Sequence, residues 1–344
     1  MTVARTKRGG GWGFPSKTVG AELRTIPVEW WYNWGNYIPD TDAANFTQVS
    51  GVDFVPMIYG NCCGLDQLPD GLPENTSALL GFNEPNHMEE SNLMPEAAAL
   101  LWPRLQAAAE KLGARLGSPA AAVCGANCNV RNPFDWWDQF FSNCSDCRVD
   151  FIATHYYTCS PQYLQWFLND IWDRYQRPIW LTELACPNEN GTLSRQVTYM
   201  RNALKVLDED DAVERYAWFA PHTEDFGWIG PTASLFLPDA DPPELSALGR
   251  IYAGDAVPEA VVTNGSAALS AADVAALTQP LTAVDKAGSW LAACGACVSG
   301  DSVESALGID AHCRDCGMLP IKRGQGIVQG AAHGLLKGYV GSQA

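Results

Sequence analysis

The 344-residue sequence predicts an α/β fold, a (β/α)8 TIM barrel over residues 7–254 followed by an Ala/Gly-rich, Cys-containing extension over residues 255–344. Three observations carry this prediction. Eight short apolar runs recur along the first part of the chain, several of them nearly continuous, as strands covered on both faces require. Helical periodicity lies between most of them, and eight strand–helix alternations over about 245 residues match the usual size of such a barrel. No Gly-rich phosphate turn follows the first run, since Arg8-Gly9-Gly10-Gly11-Trp12 lacks the G-x-G-x-x-G spacing of a doubly wound sheet.

In chain order the runs are Arg8–Phe14, Val28–Trp34, Phe54–Gly60, Ala78–Glu84, Arg115–Ala120, Val149–Tyr157, Pro178–Ala185 and Glu214–Ala220. The clearest helix opens with Ser160 as cap and Pro161 at its first position. It carries Leu164, Phe167, Leu168, Ile171, Trp172 and Tyr175 at i, i+3, i+4, i+7 spacing. A second helix is expected to start at Ser194, with Val197, Met200, Leu204 and Leu207 on one face. A third runs through the Ala-rich segment before Gly113, with Pro103 expected to kink it or mark its start.

Composition narrows the function. The chain is 47% hydrophobic and 18% charged, which describes a globular protein with a sizeable core. Its net charge of −17 argues against nucleic acid or an anionic membrane as partner. A neutral polysaccharide is compatible with that charge. No apolar stretch reaches the length of a membrane span, and no signal peptide is visible. Thirteen Trp and eleven Tyr are many for this length; core filling absorbs some of them, and aromatic faces also suit the C–H faces of pyranose rings in a sugar-binding cleft.

Two segments carry the chemistry. Gly81-Phe82-Asn83-Glu84-Pro85-Asn86 and Trp180-Leu181-Thr182-Glu183-Leu184-Ala185 each end an apolar run with a single carboxylate, where a parallel barrel presents its reactive groups. Two glutamates converging there suit the opening of a glycosidic bond, with the carboxyls of a retaining pair about 5–5.5 Å apart. Pro85 cannot donate to a ladder, so the strand should stop and leave Glu84 at the rim. Asn83 is suited to bind a sugar 2-hydroxyl, although strict alternation points it away from Glu84 unless a bulge or turn intervenes. Glu183 lies inside an apolar run where an unpaired charge is costly, and counting back by two puts Leu181 and Ile179 on its inward face. Trp31, Tyr32, Asn33 and Trp34 close the second run, Tyr59 the third, and His155 and Tyr157 share one face of the sixth. Trp218 lies in the eighth, so substrate-binding candidates recur at the carboxyl ends of five strands.

The series Lys7-Arg8-Gly9-Gly10-Gly11-Trp12, Trp31-Tyr32-Asn33-Trp34, Phe54-Val55-Pro56-Met57, Gly81-Phe82-Asn83-Glu84-Pro85-Asn86, Asp150-Phe151-Ile152-Ala153-Thr154-His155-Tyr156-Tyr157 and Pro178-Ile179-Trp180-Leu181-Thr182-Glu183 resembles glycoside hydrolase family 128 over roughly residues 7–254. The resemblance implies a (β/α)8 β-1,3-glucanase that cleaves with retention and without a cofactor. It implies Glu84 as acid/base and Glu183 as nucleophile. The β-1,3 linkage rests on the resemblance alone. Hydrolysis of another β-linked polysaccharide, or non-catalytic binding of β-glucan, stays open on the residues themselves. A monomer is expected.

Twelve cysteines, with Cys124 near Cys128, Cys144 near Cys147 and Cys62 beside Cys63, suit disulfides in an oxidising compartment. Asn-x-Ser/Thr sites at Asn45, Asn75, Asn143, Asn190 and Asn264 agree with an extracellular or cell-wall location. In the extension, Cys294, Cys297, Cys313 and Cys316 have spacing that suits either a four-sulfur zinc site or two disulfides.

Overall fold

A computed structural model of the chain describes residues 7–257, apart from 14–17, 40, 63, 188–191 and 224–227. The four cysteines of the extension therefore lie outside the described residues. The strands stand where the apolar runs predict them: β1 (Arg8–Gly11), β2 (Trp30–Tyr32), β3 (Asp53–Phe54), β4 (Ala78–Leu79), β5 (Arg115–Leu116), β6 (Ile152–Tyr157), β7 (Ile179–Ala185) and β8 (Val213–Trp218). β3 and β5 are shorter than their runs, in keeping with Pro56 and Pro119, which supply no ladder donor. Six strands pair in the order β3-β2-β1-β8-β7-β6, and β4 pairs with β5. The parallel bridges Met57–Leu80 and Gly117–Phe151 join the two pieces at both seams, so the ring of eight parallel strands closes into a barrel.

Around it stand α1 (Val19–Thr25), α2 (Thr41–Ser50), α3 (Pro95–Leu112), α4 (Pro133–Asn143), α5 (Pro161–Tyr175), α6 (Leu193–Glu209) and α7 (Ala247–Ala253). Between β3 and β4 a 3-10 turn, Leu65–Gln67, stands where a regular alternation would put a helix. The cap predicted for α5 is present, with the Ser160 hydroxyl accepting from the Tyr163 N–H. α6 begins earlier than expected, because Thr192 supplies the cap oxygen to the Arg195 N–H. α3 starts at Pro95, which leaves Pro103 inside the helix. Among the described residues no helix is long and apolar enough to cross a membrane.

The barrel interior is filled by Trp30, Tyr32, Val55, Met57, Tyr59, Ala78, Leu80, Ala120, Phe151, Ala153, Trp180 and Ala217. β1 contributes glycine for a steric reason: a Cβ on Gly9 would lie 2.2 Å from the Trp30 ring. Trp180 stacks on Phe151 with ring centroids 4.0 Å apart, and the Arg215 guanidinium covers its face at 4.4 Å. Phe151, Trp180 and Trp30 thus pack the barrel interior on the amino side of Glu183.

Disulfides join Cys124–Cys128 and Cys144–Cys147, the close pairs expected. A third, Cys159–Cys186, spans 27 residues and ties the ends of β6 and β7 together. For a loop of that size the chain-entropy argument gives roughly 3–4 kcal/mol. Replacing both Cys159 and Cys186 by serine is expected to lower unfolding stability by about that amount, read by denaturant titration under oxidising conditions. An unchanged midpoint would remove the clamp from the account of stability.

Candidate active site

Glu183 reaches the barrel mouth through an irregularity in β7. Trp180 points inward and Leu181 outward, so simple alternation would aim Glu183 at the helices. The pairing with β6 instead jumps from Thr154–Leu181 to His155–Glu183, making Thr182 an extra residue. This bulge restores Glu183 to the inner side. It also corrects the sequence reading, since Leu181 and Ile179 belong to the outer, helix-facing core. The Thr182 carbonyl accepts from the Tyr32 hydroxyl at 2.9 Å across the barrel.

Glu84 arrives by a different device. Leu80 faces inward and Phe82 outward, so the parity of the run changes at Gly81. Asn83 then pairs with Ala120, and Glu84 adopts a left-handed backbone with φ 38°. That is the turn needed for Asn83 and Glu84 to serve one site, and such a conformation in a non-glycine residue is held only by its surroundings. Trp34, just beyond β2, is also left-handed at φ 58°. Its indole N–H donates to Glu183 Oε1 at 2.8 Å.

The two carboxylates meet around one imidazole. His155 Nδ1 lies 2.8 Å from Glu84 Oε1 and 3.3 Å from Glu183 Oε2. One oxygen of each glutamate and one nitrogen of His155 all lie within 4.8 Å of one another, close enough to hold a cation. His87 Nδ1 approaches the other side of Glu84, 3.3 Å from Oε2. On Glu183, the Tyr157 hydroxyl donates to Oε2, while Tyr32 lies 3.4 Å from Oε1.

Burial works against charge on both carboxylates. At Glu84 the positive charge of His87 and His155 outweighs burial, and the pKa falls below the ordinary glutamate value. At Glu183 burial prevails over His155, the negative Glu84 adds to it, and the pKa rises despite the bonds from Tyr157 and Trp34. His155 itself is raised: burial opposes its charge, but the two carboxylates more than compensate. Tyr32 and Tyr157 are pushed far up by burial and by Glu183, so both are neutral hydrogen-bond donors.

Of the candidates named from sequence, Glu84, Glu183, Tyr32, Trp34, His155 and Tyr157 converge on this cluster. Asn83 and Tyr59 stand beside it, both bonded to Glu90 Oε2. Three candidates lie elsewhere. Trp31, one residue from inward-facing Tyr32, points to the opposite face, packs on Phe54 and donates to Thr47 in α2. Trp218 faces the helices too, donating to the Ala233 carbonyl at 2.9 Å beside Tyr199 of α6. Asn33 spends its side chain on the turn after β2, bonding the Tyr37 carbonyl and the Gly35 N–H.

Sequence reasoning missed Glu90 and His87, which follow Glu84 closely in the loop before α3. It also missed Phe219 and Trp228, whose rings pack on each other and around Tyr157. The signal available was proximity, because Glu84 to Glu90 is one turn-rich stretch with three ionisable companions, His87, Glu89 and Glu90.

Comparison with known proteins bears on the family and the fold. The sequence profile described as the glycosyl hydrolase catalytic core matches residues 9–252. Alkali-sensitive linkage protein 1 of Schizosaccharomyces pombe is 32% identical over 255 residues, covering 72% of this chain, which spans 44% of that protein's length. A family 128 subgroup II endo-β-1,3-glucanase from Sorangium cellulosum superposes with TM-score 0.64 and 34% identity, covering 73% of this chain and 99% of its own. A subgroup I endo-β-1,3-glucanase from Amycolatopsis mediterranei, a Glu-to-Gln variant in complex with laminarihexaose, gives TM-score 0.59 and 31% identity, covering 73% and 100%.

Proposed function

The chain belongs to glycoside hydrolase family 128, and from that premise we propose that it is an endo-β-1,3-glucanase that cleaves with retention. Glu183 acts as the nucleophile and Glu84 as the acid/base. The observation that carries this division is the set of partners each glutamate keeps. Glu183 is held by Trp34 and Tyr157, neutral donors that favour its charged form and aim it. Glu84 has two imidazoles beside it, and His155, which reaches Glu183 only at 3.3 Å, lies closer to Glu84 at 2.8 Å, a partner with which a proton can be exchanged.

Proton bookkeeping accommodates this reading, although the neighbouring histidines hold Glu84 below the ordinary glutamate value. With His155 charged, both glutamates are anions. With His155 neutral, its proton has crossed the 2.8 Å hydrogen bond to Glu84, and the total charge is unchanged. The second arrangement is the reactive one. Glu183 attacks the anomeric carbon, the bond to the leaving oxygen breaks, and Glu84 gives that oxygen its proton. Glu84, now an anion, takes a proton from water as that water opens the glycosyl ester and frees Glu183. A pair of carboxylate oxygens within 4.8 Å leaves little room for a water between them, which favours retention over inversion.

The linkage rests on the relatives, two of which are endo-β-1,3-glucanases and one of which holds laminarihexaose. A screen of linkage-defined β-glucans tests it, with reducing ends expected from laminarin and none from β-1,4 chains. Proton NMR of the first product should show the β-anomer; first appearance of the α-anomer would establish inversion. Three disulfides among the described residues favour an extracellular setting.

A pH profile follows from the raised pKa of Glu183. The nucleophile works only when ionised, so activity is lost as pH falls through that raised value. The acid limb of kcat/KM is therefore expected above the ordinary glutamate value of about 4.3. A limb below that value would contradict the buried environment assigned to Glu183.

A further inference from the structure

A third carboxyl stands in the mouth with no part in the mechanism above. Glu90 accepts on a single oxygen, Oε2, from the Tyr59 hydroxyl and from Asn83 Nδ2, the latter at 3.3 Å. Asn83 is 3% exposed, and its Oδ1 is buried without a hydrogen-bond partner. An amide has one donating end and one accepting end, so tying Nδ2 down decides which end remains. Here it is an acceptor, next to Glu84, with nothing among the described residues to satisfy it. A buried acceptor left open in a binding cleft is the complement of a ligand donor, and a sugar offers hydroxyls.

We propose that Glu90 is a positioning residue of this site: through its bond to Nδ2 it holds the Asn83 amide with Oδ1 toward the substrate, ready to accept from a sugar hydroxyl. The proposal rests on the glucanase reading of the cleft. The surroundings of Glu90 disfavour a third negative charge beside Glu84 and Glu183. Burial, and then the charge of Glu84, keep its pKa well above the ordinary value, with Glu183 adding to the effect and Tyr59 and Asn83 opposing it. A neutral carboxyl still offers Oε2 as an acceptor to both Tyr59 and Asn83, which is the arrangement found.

The experiment is a double-mutant cycle on soluble laminarin, with thermal midpoints measured in parallel. Wild-type turnover is measured first, because its absence would overturn the glucanase reading and this proposal with it. With an active wild type, Asn83→Ala and Glu90→Ala are each expected to lower kcat by about tenfold to a hundredfold, because bonds to a sugar hydroxyl strengthen in the transition state. KM should move by less than about threefold. If Glu90 acts through Asn83, the double variant is no slower than Asn83→Ala alone, within about twofold. Glu90→Gln keeps an oxygen for both donors and should recover about tenfold of the Glu90→Ala loss. Losses that multiply in the double variant overturn the role of Glu90 and leave the glucanase reading standing. So does a Glu90→Ala loss confined to the thermal midpoint, or one that Glu90→Gln fails to recover.

Discussion

Glu183→Gln is expected to reduce laminarin turnover by roughly 10⁴-fold, the scale of losing a covalent nucleophile. Binding of laminari-oligosaccharides should survive. The physical reason lies in how the side chain is held. The Gln amide oxygen can still accept from the Trp34 N–H, whose bond to Glu183 Oε1 is 2.8 Å. Its NH2 can donate to the Tyr157 oxygen once that hydroxyl turns, so the shape and hydrogen bonds of the pocket persist. What disappears is the ability to form the glycosyl ester. Calorimetric titration with laminarihexaose alongside initial rates separates the two effects. Hydrolysis within about tenfold of wild type would remove Glu183 from the mechanism.

The second large effect is expected at Glu84, and its signature is selectivity. Glu84→Ala should slow hydrolysis of laminarin by about 10²–10⁴-fold, the range a general acid contributes. An aryl β-glucoside oligomer with a good leaving group needs little protonation, so its first step should be nearly spared. A burst of phenolate followed by slow turnover is the expected trace, because the glycosyl-enzyme then lacks its base. Azide, a nucleophile that needs no base, should restore turnover and yield the β-glycosyl azide. Equal losses on laminarin and on the activated substrate, without a burst, would argue that Glu84 serves the structure rather than proton transfer. His155 and His87 lose their shared carboxylate in this variant, so a thermal midpoint belongs beside the kinetics.

Both glutamates were legible in the sequence because each interrupts an apolar run at its end, and a lone charge there demands a reason. His155 and Tyr157 were legible by period-two spacing in β6, and the structure keeps them on one face. The same parity rule separates Tyr32 from Trp31, a distinction lost when Trp31 to Trp34 are taken as a group. Glu90 gave no such signal. It sits in a polar loop where a carboxylate is ordinary, and only the approach of Tyr59 from the third strand run makes it part of the site. The Cys159–Cys186 pairing was equally hidden, as neither residue has a close cysteine neighbour in the chain.

By itself the sequence determined the strand order, the barrel class, the two strand-end carboxylates and the family resemblance. These are local properties: apolar period, turn chemistry and residue type at a strand terminus. Which way the two glutamate side chains point was decided by tertiary structure. Regular alternation from Trp180 would have aimed Glu183 at the helices, and regular alternation from Phe82 would have done the same to Glu84. An extra residue at Thr182 brings Glu183 to the mouth, and a left-handed turn at Glu84 brings that carboxylate there after the change of parity at Gly81 has turned the strand end. Each departure is stabilised by partners distant in the chain: Tyr32 on the Thr182 carbonyl, Ala120 on the Glu84 N–H, His155 between the carboxylates. A strand's own residues specify its period, but slips in its register are fixed by bonds to neighbouring strands, which exist only once the barrel has closed.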